Sequence, residues 1–157
     1  METRETITLV TFRDEFAGDF DRLNREWLVR GNFLEPADEV YLAAPRAKIV
    51  DVGGEVFFAL LGGDVVGTAA AIPHSADVIE LGKLSVAPEA QGRGLGRQLT
   101  EAVIAFARER CAVRVVLTSN TRLTAAVSLY KSLGFEERDC PAGFGYETAD
   151  VYMELTL

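Results

Sequence analysis

Glu80-Leu81-Gly82-Lys83-Leu84-Ser85-Val86-Ala87-Pro88-Glu89-Ala90-Gln91-Gly92-Arg93-Gly94-Leu95-Gly96-Arg97 runs from strand-like residues through a proline and a glycine-rich turn into a helix. The helix is marked by Leu95, Leu99, Ala102, Val103 and Phe106 on one face. The first N–H groups of a helix have no internal partner, and the helix dipole adds partial positive charge there. A glycine-rich turn opening a helix is therefore an anion site that needs no net positive protein charge. Gly92, Gly94 and Gly96 would let the backbone approach a phosphate without Cβ atoms in the way. The dinucleotide pattern GxGxxG fails, because Arg97-Gln98 follows Gly96. Gly62–Gly67-Thr68 has the glycine spacing of a P-loop but not its lysine, and reads as a hairpin turn. Spacing alone leaves two readings of Gln91–Gly96 open, a phosphate site and a purely structural tight turn.

Working outward, Ile7–Phe12 reads as a strand. Asp14 is a candidate cap for a helix whose Phe16, Phe20, Leu23 and Trp27 share a face. Gly31-Asn32 stops that helix, Pro36-Ala37-Asp38 starts a shorter one, and Pro45 ends it. Glu55–Leu61 and Val65–Ile72 flank Gly62-Gly63-Asp64 as a β-hairpin. Val78–Val86 and Val113–Thr118 read as further strands. Thr124–Leu133 reads as a helix closed by Gly134, and Phe135–Arg138 and Val151–Leu155 as closing strands. Early strands join by a hairpin and later ones through helices, which predicts a mixed sheet with helices on it, one α/β (α+β) domain over residues 1–157. The loop Pro141–Ala149 carries Gly143 and Gly145 and reads as the most flexible stretch.

The bulk composition narrows the function classes. The 157 residues are 48% hydrophobic and 25% charged, enough for a buried core and unlike a disordered chain. The formal net charge of −8 and the lack of a basic run argue against nucleic-acid binding, which rests on Lys and Arg at phosphates. Met1-Glu2-Thr3-Arg4-Glu5 lacks the basic-then-apolar order of a signal peptide. The longest apolar run, Val56–Leu61, is too short to span a bilayer. Cys111 and Cys140 have no metal-ligand spacing and read as small buried or neutral residues. The expectation is a cytoplasmic protein with no membrane, nucleic-acid or metal partner.

Gln91-Gly92-Arg93-Gly94-Leu95-Gly96 resembles the Q/R-x-x-G-x-G/A pyrophosphate loop of the GNAT superfamily of N-acetyltransferases. Lys83–Pro88 resembles that family's central strand, Ala126–Phe135 its A-x-x-L-Y-x-x-L-G-F segment, and Asp150–Leu155 its last strand. The resemblance covers about half the chain, Glu80 to Leu155. It implies a mixed, mostly antiparallel sheet whose parallel strands Val78–Val86 and Val113–Thr118 splay to hold acetyl-CoA. Backbone groups of Leu84, Ser85 and Val86 would meet the pantetheine arm, and an N–H near Val86 would polarise the thioester carbonyl. Gln91, Gly92, Arg93, Gly94, Leu95, Gly96 and Arg97 would form the phosphate loop, with Ala126 and Tyr130 on the far wall. Many members carry Asn seven positions before the tyrosine. That position is Leu123 here, and Asn120 is the candidate replacement. Arg122 and Lys131 are further candidates for a CoA phosphate.

The same resemblance makes Tyr130 the general acid for the leaving thiolate and Glu80 the general base for the amine, through water. The residues by themselves also allow Tyr130 as core and Glu80 as an exposed carboxylate or a partner of Lys83. Acceptor contacts are expected from Phe33, Leu34 and Glu35 and from Phe144, Gly145 and Tyr146, with Glu80 reaching the same site. Glu35 or Glu147 could favour a cationic amine. His74, the single histidine, reads as a surface residue, with a substrate or auxiliary-base role as its alternative. Direct transfer from acetyl-CoA to a small-molecule primary amine is the expected reaction. A protein N-terminus or lysine as acceptor, a noncatalytic acetyl-CoA sensor or interaction module, and an unrelated nucleotide module stand beside it. A homodimer is compatible with the resemblance.

Overall fold

The structure, a computed structural model, describes residues 6–157. The Met1–Glu5 segment therefore lies outside the described residues. The chain runs β1 (Ile7–Thr11), α1 (Ala17–Arg30), α2 (Pro36–Ala43), β2 (Glu55–Leu61), β3 (Asp64–Pro73), β4 (Val78–Val86), α3 (Leu95–Glu109), β5 (Arg114–Ser119), α4 (Thr124–Ser132), β6 (Glu136–Glu137) and β7 (Val151–Thr156). All seven strands join one sheet in the order β1-β2-β3-β4-β5-β7-β6. Among the described residues, only β4 and β5 pair in parallel, and every other pair is antiparallel. The fold class and element order match the expectation from the sequence.

Alternation along the strands sends successive side chains to opposite faces. On β3, Ala69 and Ala71 join the core under α3, made with Leu95, Leu99 and Val103. Ala70 and Ile72 join a second core with Phe20 and Leu28 of α1 and Leu42 of α2. The alanine run keeps β3 thin, so helices can press on both faces. Gly67 extends this, since a Cβ there would stand 3.1 Å from Leu99 Cδ1.

Four local readings differ from the sequence expectation. Asp14 does not cap α1 by its side chain. The helix is entered through a 3₁₀ turn, Asp14–Phe16, and the Asp14 carboxylate pairs with Arg46 at 2.6 Å. Pro45 ends α2 but then opens a single π-helical turn, Arg46–Val50, that buries Ile49. The hairpin loop shrinks to Gly62-Gly63, because Asp64 already pairs with Leu61. Cys111 and Cys140 are exposed, not buried. Cys111 takes a left-handed φ of 58° just past α3, where the chain turns at the surface.

Candidate active site

β4 and β5 pair only at Val78–Arg114, Ile79–Val115 and Glu80–Val116. Beyond Glu80 the strands part, although β4 stays bonded to β3 as far as Val86 and β5 to β7 as far as Ser119. The parting has a local cause. Between the pairs Thr68–Ser85 and Ala70–Gly82, β3 spends one residue and β4 spends two. This bulge holds Lys83 at a φ of 52°, a rare conformation for a side-chain-bearing residue, and it turns β4 away from its neighbour. The Leu81–Val86 edge is left facing a cavity of about 530 Å³, lined also by Leu23, Trp27, Gln91, Ala126 and Tyr130.

Gln91 sits at the end of this cavity, and its side-chain amide donates to the Val86 carbonyl at 3.3 Å. Gly92 and Gly94 have φ of 82° and 76°, and Gly94 is the N-cap of α3. A Cβ on either would meet no atom within 4 Å. Glycine is required there by the left-handed backbone and not by crowding. Gly96 lies inside α3, facing Leu129 of α4, while Arg93 and Arg97 are exposed. Arg97 donates to Ser132 Oγ at 2.7 Å. The parted strand edge shares the cavity with Gln91, whereas residues 92–97 do not line it. The left-handed glycine turn follows directly after Gln91 at the N-terminus of α3, and edge and turn in succession fit a long ligand with a phosphate end. The side chain of Ser85 donates to the Leu23 carbonyl at 2.8 Å and ties β4 to α1. Asn120 lines the cavity, but its amide is tied by bonds to the Thr148 carbonyl (2.6 Å) and from the Arg122 N–H (2.9 Å).

Glu80 and Tyr130 line the same cavity. Tyr130 is 7% exposed, packs edge-on against Phe135, and its hydroxyl has no hydrogen-bond partner among the described residues. Burial pushes its phenol well above the ordinary range, so the group stays protonated at neutral pH. Glu80 is buried, and it pairs with His74 rather than with Lys83: Nε2 of His74 lies 2.6 Å from Oε1. Gly82 gives the carboxylate its room. A Cβ there would stand 3.3 Å from Glu80 Oε2.

Lys83 pairs instead with Asp38, and both side chains are almost fully buried. Its ammonium also donates to the Tyr146 hydroxyl at 3.0 Å and lies 4.6 Å and 5.6 Å from the Tyr146 and Tyr41 rings. Burial raises the Tyr146 phenol, and the carboxylates of Glu80 and Asp38 raise it further. Glu35 is occupied as well. It accepts from the Glu147 N–H (2.8 Å), the Thr148 N–H (3.1 Å) and the Thr148 hydroxyl (2.5 Å), while its own N–H donates to Asp38 Oδ2 at 2.8 Å. The start of α2 is thus clasped to the C-terminal loop. Phe33 lines the cavity under the Arg122 guanidinium, 4.3 Å from its ring centroid. Of the remaining expected acceptor contacts, Phe144 packs against His74 with ring centroids 4.9 Å apart and the rings tilted by 58°, and Glu147 is exposed at the surface.

Sequence reasoning missed the Lys83–Asp38–Tyr41–Tyr146 cluster and the His74–Glu80 pair. Their members lie up to 108 positions apart, and only the sheet brings them together. Strand alternation could have placed Glu80 and Gly82 on the α1 side of the sheet, but nothing local named their partners.

The pattern of the Acetyltransferase (GNAT) family matches residues 15–135. The chain is 29% identical over 116 residues to N-acetyltransferase family 8 member 2 of Rattus norvegicus, covering 71% of this chain and 51% of that protein. It spans about half the length of the curated relatives it matches. The fold superposes on an acetyltransferase of GNAT family from Staphylococcus aureus Mu50 with a TM-score of 0.87 at 17% identity, over 96% of this chain and 99% of that one. It also superposes on a GNAT family acetyltransferase from Elizabethkingia anophelis with acetyl-CoA bound, with a TM-score of 0.63 at 20% identity, over 96% and 98% of the two chains. Among the described residues, no helix is long and apolar enough to cross a membrane. A parted parallel strand pair, a glycine turn at a helix N-terminus and a family match over most of the sequence converge: this chain belongs to the acetyltransferase (GNAT) family.

Proposed function

We propose that this chain catalyses direct transfer of an acetyl group from acetyl-CoA to the primary amine of a small molecule. The observation that carries the reading is the parting of β4 from β5 just beyond Glu80, which leaves one cavity bounded by an open strand edge, a carboxylate and a phenol. Acetyl-CoA supplies an activated thioester acyl group. The Leu84–Val86 edge and the turn Gln91–Gly96, with Ala126 across the gap, are the residues suited to hold it. Glu80 takes one proton from the ammonium, directly or through one water; the phenol of Tyr130 donates a proton to the departing sulfur and regains one from the nitrogen that becomes the amide. No covalent nucleophile is required, which agrees with the exposed positions of both cysteines. Phe33 and Tyr146 give the acceptor end aromatic walls. The Glu80 carboxylate favours an amine that arrives as a cation, while that of Asp38 is neutralised by Lys83.

The test is a thermal-shift series with acetyl-CoA, CoA, NAD and ATP, followed by an amine screen read by release of free thiol. A ligand at ~100 times its Kd adds about 2.7 kcal/mol. In a domain of this size that moves Tm by roughly 5–10 °C. A shift of that order with acetyl-CoA and not with NAD or ATP, together with turnover of an amine, is the expected result. No shift with either CoA compound sinks the proposal, and a shift without turnover of any amine or peptide favours a sensor.

A further inference from the structure

His74 meets the Glu80 carboxylate from outside the cavity lining. It does not line the cavity, whereas Glu80 does. Its side chain is 35% exposed and that of Glu80 9%, so the pair bridges the buried site and bulk water in a single 2.6 Å contact. The contact is held from both ends. Glu80 is fixed on β4 opposite Val116 and Ile72. The His74 N–H donates to the Val78 carbonyl at 2.9 Å, closing the β3–β4 turn. The imidazole packs on Phe144, which packs in turn edge-on against Tyr152. Among the described residues, Glu80 is the only charged group within ion-pair distance of the ring. Lys83, the nearest alternative partner for Glu80 in sequence, is taken by Asp38.

A buried carboxylate that accepts a proton at each turnover must lose it before the next one. While substrates or products fill the cavity, that side gives the proton no route to bulk water, whereas the His74 side does. We propose that His74 is a positioning residue for Glu80 and the conduit by which the amine proton leaves the site. This rests on the reading of Glu80 as base. The proton passes from the ammonium to the Glu80 carboxylate, and from Oε1 to the Nε2 lone pair of the Nδ1–H tautomer. The resulting imidazolium releases one proton to solvent water, and the ring returns to the Nδ1–H tautomer by exchange with water before the next cycle. One proton enters from the amine and one leaves to bulk, with no net change in either side chain.

The experiment compares the wild type with His74→Ala, His74→Gln and Glu80→Gln. The panel is spermidine, tyramine, L-phenylalanine and a tetrapeptide with a free amino terminus, and the amine turned over fastest serves as probe. His74→Gln keeps a hydrogen-bond donor for Glu80 but carries no proton across. Both His74 variants should lose kcat by about tenfold or more, with an unchanged KM for acetyl-CoA, because a lost proton-transfer step falls on the chemical rate. Added imidazole should restore His74→Ala, by entering the space the ring vacates, and should leave Glu80→Gln unrescued. Thermal shifts with acetyl-CoA confirm that each variant is folded. Wild-type kcat in His74→Gln overturns the conduit, as does failure of imidazole to rescue a folded His74→Ala. Wild-type kcat in Glu80→Gln overturns instead the reading of the base. Absence of turnover of every panel member by the wild type sinks the proposed reaction, and the conduit with it.

Discussion

Tyr130 keeps its proton because burial makes a phenolate costly, and no neighbouring cation offsets that cost. A phenol with its ionisation pushed upward is a proton donor throughout the neutral and mildly alkaline range. Tyr130→Phe removes only the hydroxyl and leaves the packing on Phe135. We expect kcat to fall about tenfold to a hundredfold while the Kd for acetyl-CoA stays put, measured by thiol release and calorimetry. Unchanged kcat would remove Tyr130 from the chemistry. Glu80→Gln should cost ~10²-fold or more in kcat at neutral pH, the scale of a lost general base. A loss smaller than about tenfold would hand the proton to another acceptor. That both residues would share one site was expected from their positions relative to the Gln91–Gly96 turn and the Tyr130–Phe135 segment, and both line the cavity. Their surroundings were not. His74 read as an exposed loop residue, because nothing within a few positions of it announces the carboxylate it meets across the β3–β4 turn.

At the scale of elements, the sequence announces what is periodic or punctuated and hides what is clasped. The Gly31-Asn32 stop of α1, the glycine turn before α3 and Gly134 after α4 all stand where expected, since each needs a backbone that few residues adopt. The π turn Arg46–Val50 has no comparable signature. Neither has the hold of α2 on the C-terminal loop, because Glu35 and Thr148 are 113 positions apart. Burial alone would raise the Glu35 carboxyl. The bonds from Thr148 and Glu147 and the charge of Lys83 outweigh that and hold it below its ordinary value of 4.5. A lowered native value means that ionised Glu35 stabilises the fold above about pH 4.5, and that this contribution fades as pH falls through the lower native value. Glu35→Gln should therefore lower Tm at neutral pH, and its deficit against the wild type should shrink on acidification. The same variant should raise KM for the acceptor while sparing acetyl-CoA binding. A Tm difference that is constant from neutral to strongly acidic pH would disconnect Glu35 from this hold.

The whole molecule carries a net charge of −8, yet its proposed acetyl donor is a polyanion. The two are compatible if the attraction is supplied by oriented backbone N–H groups at the α3 N-terminus, which act over one turn, while the net charge acts over a Debye length. Raising the salt concentration from about 0.05 to about 0.2 M screens the long-range repulsion more than the contact attraction. The Kd for CoA should then hold within about threefold, in contrast to the steep weakening of sites built from many Lys and Arg. Calorimetry across that range checks it, and a tenfold weakening would transfer the binding to side-chain cations such as Arg93 and Arg97. The extra residue at the Lys83–Leu84 bulge has one more implication. It works as a spacer written into the main chain, and the opening it makes does not depend on which side chains stand nearby. Deleting one residue there would let β4 zip onto β5 and close the gap in an otherwise intact sheet. Exchanging the surrounding side chains should leave the gap open and alter only what fits in it. A lineage can in this way change what the gap admits without rebuilding the sheet.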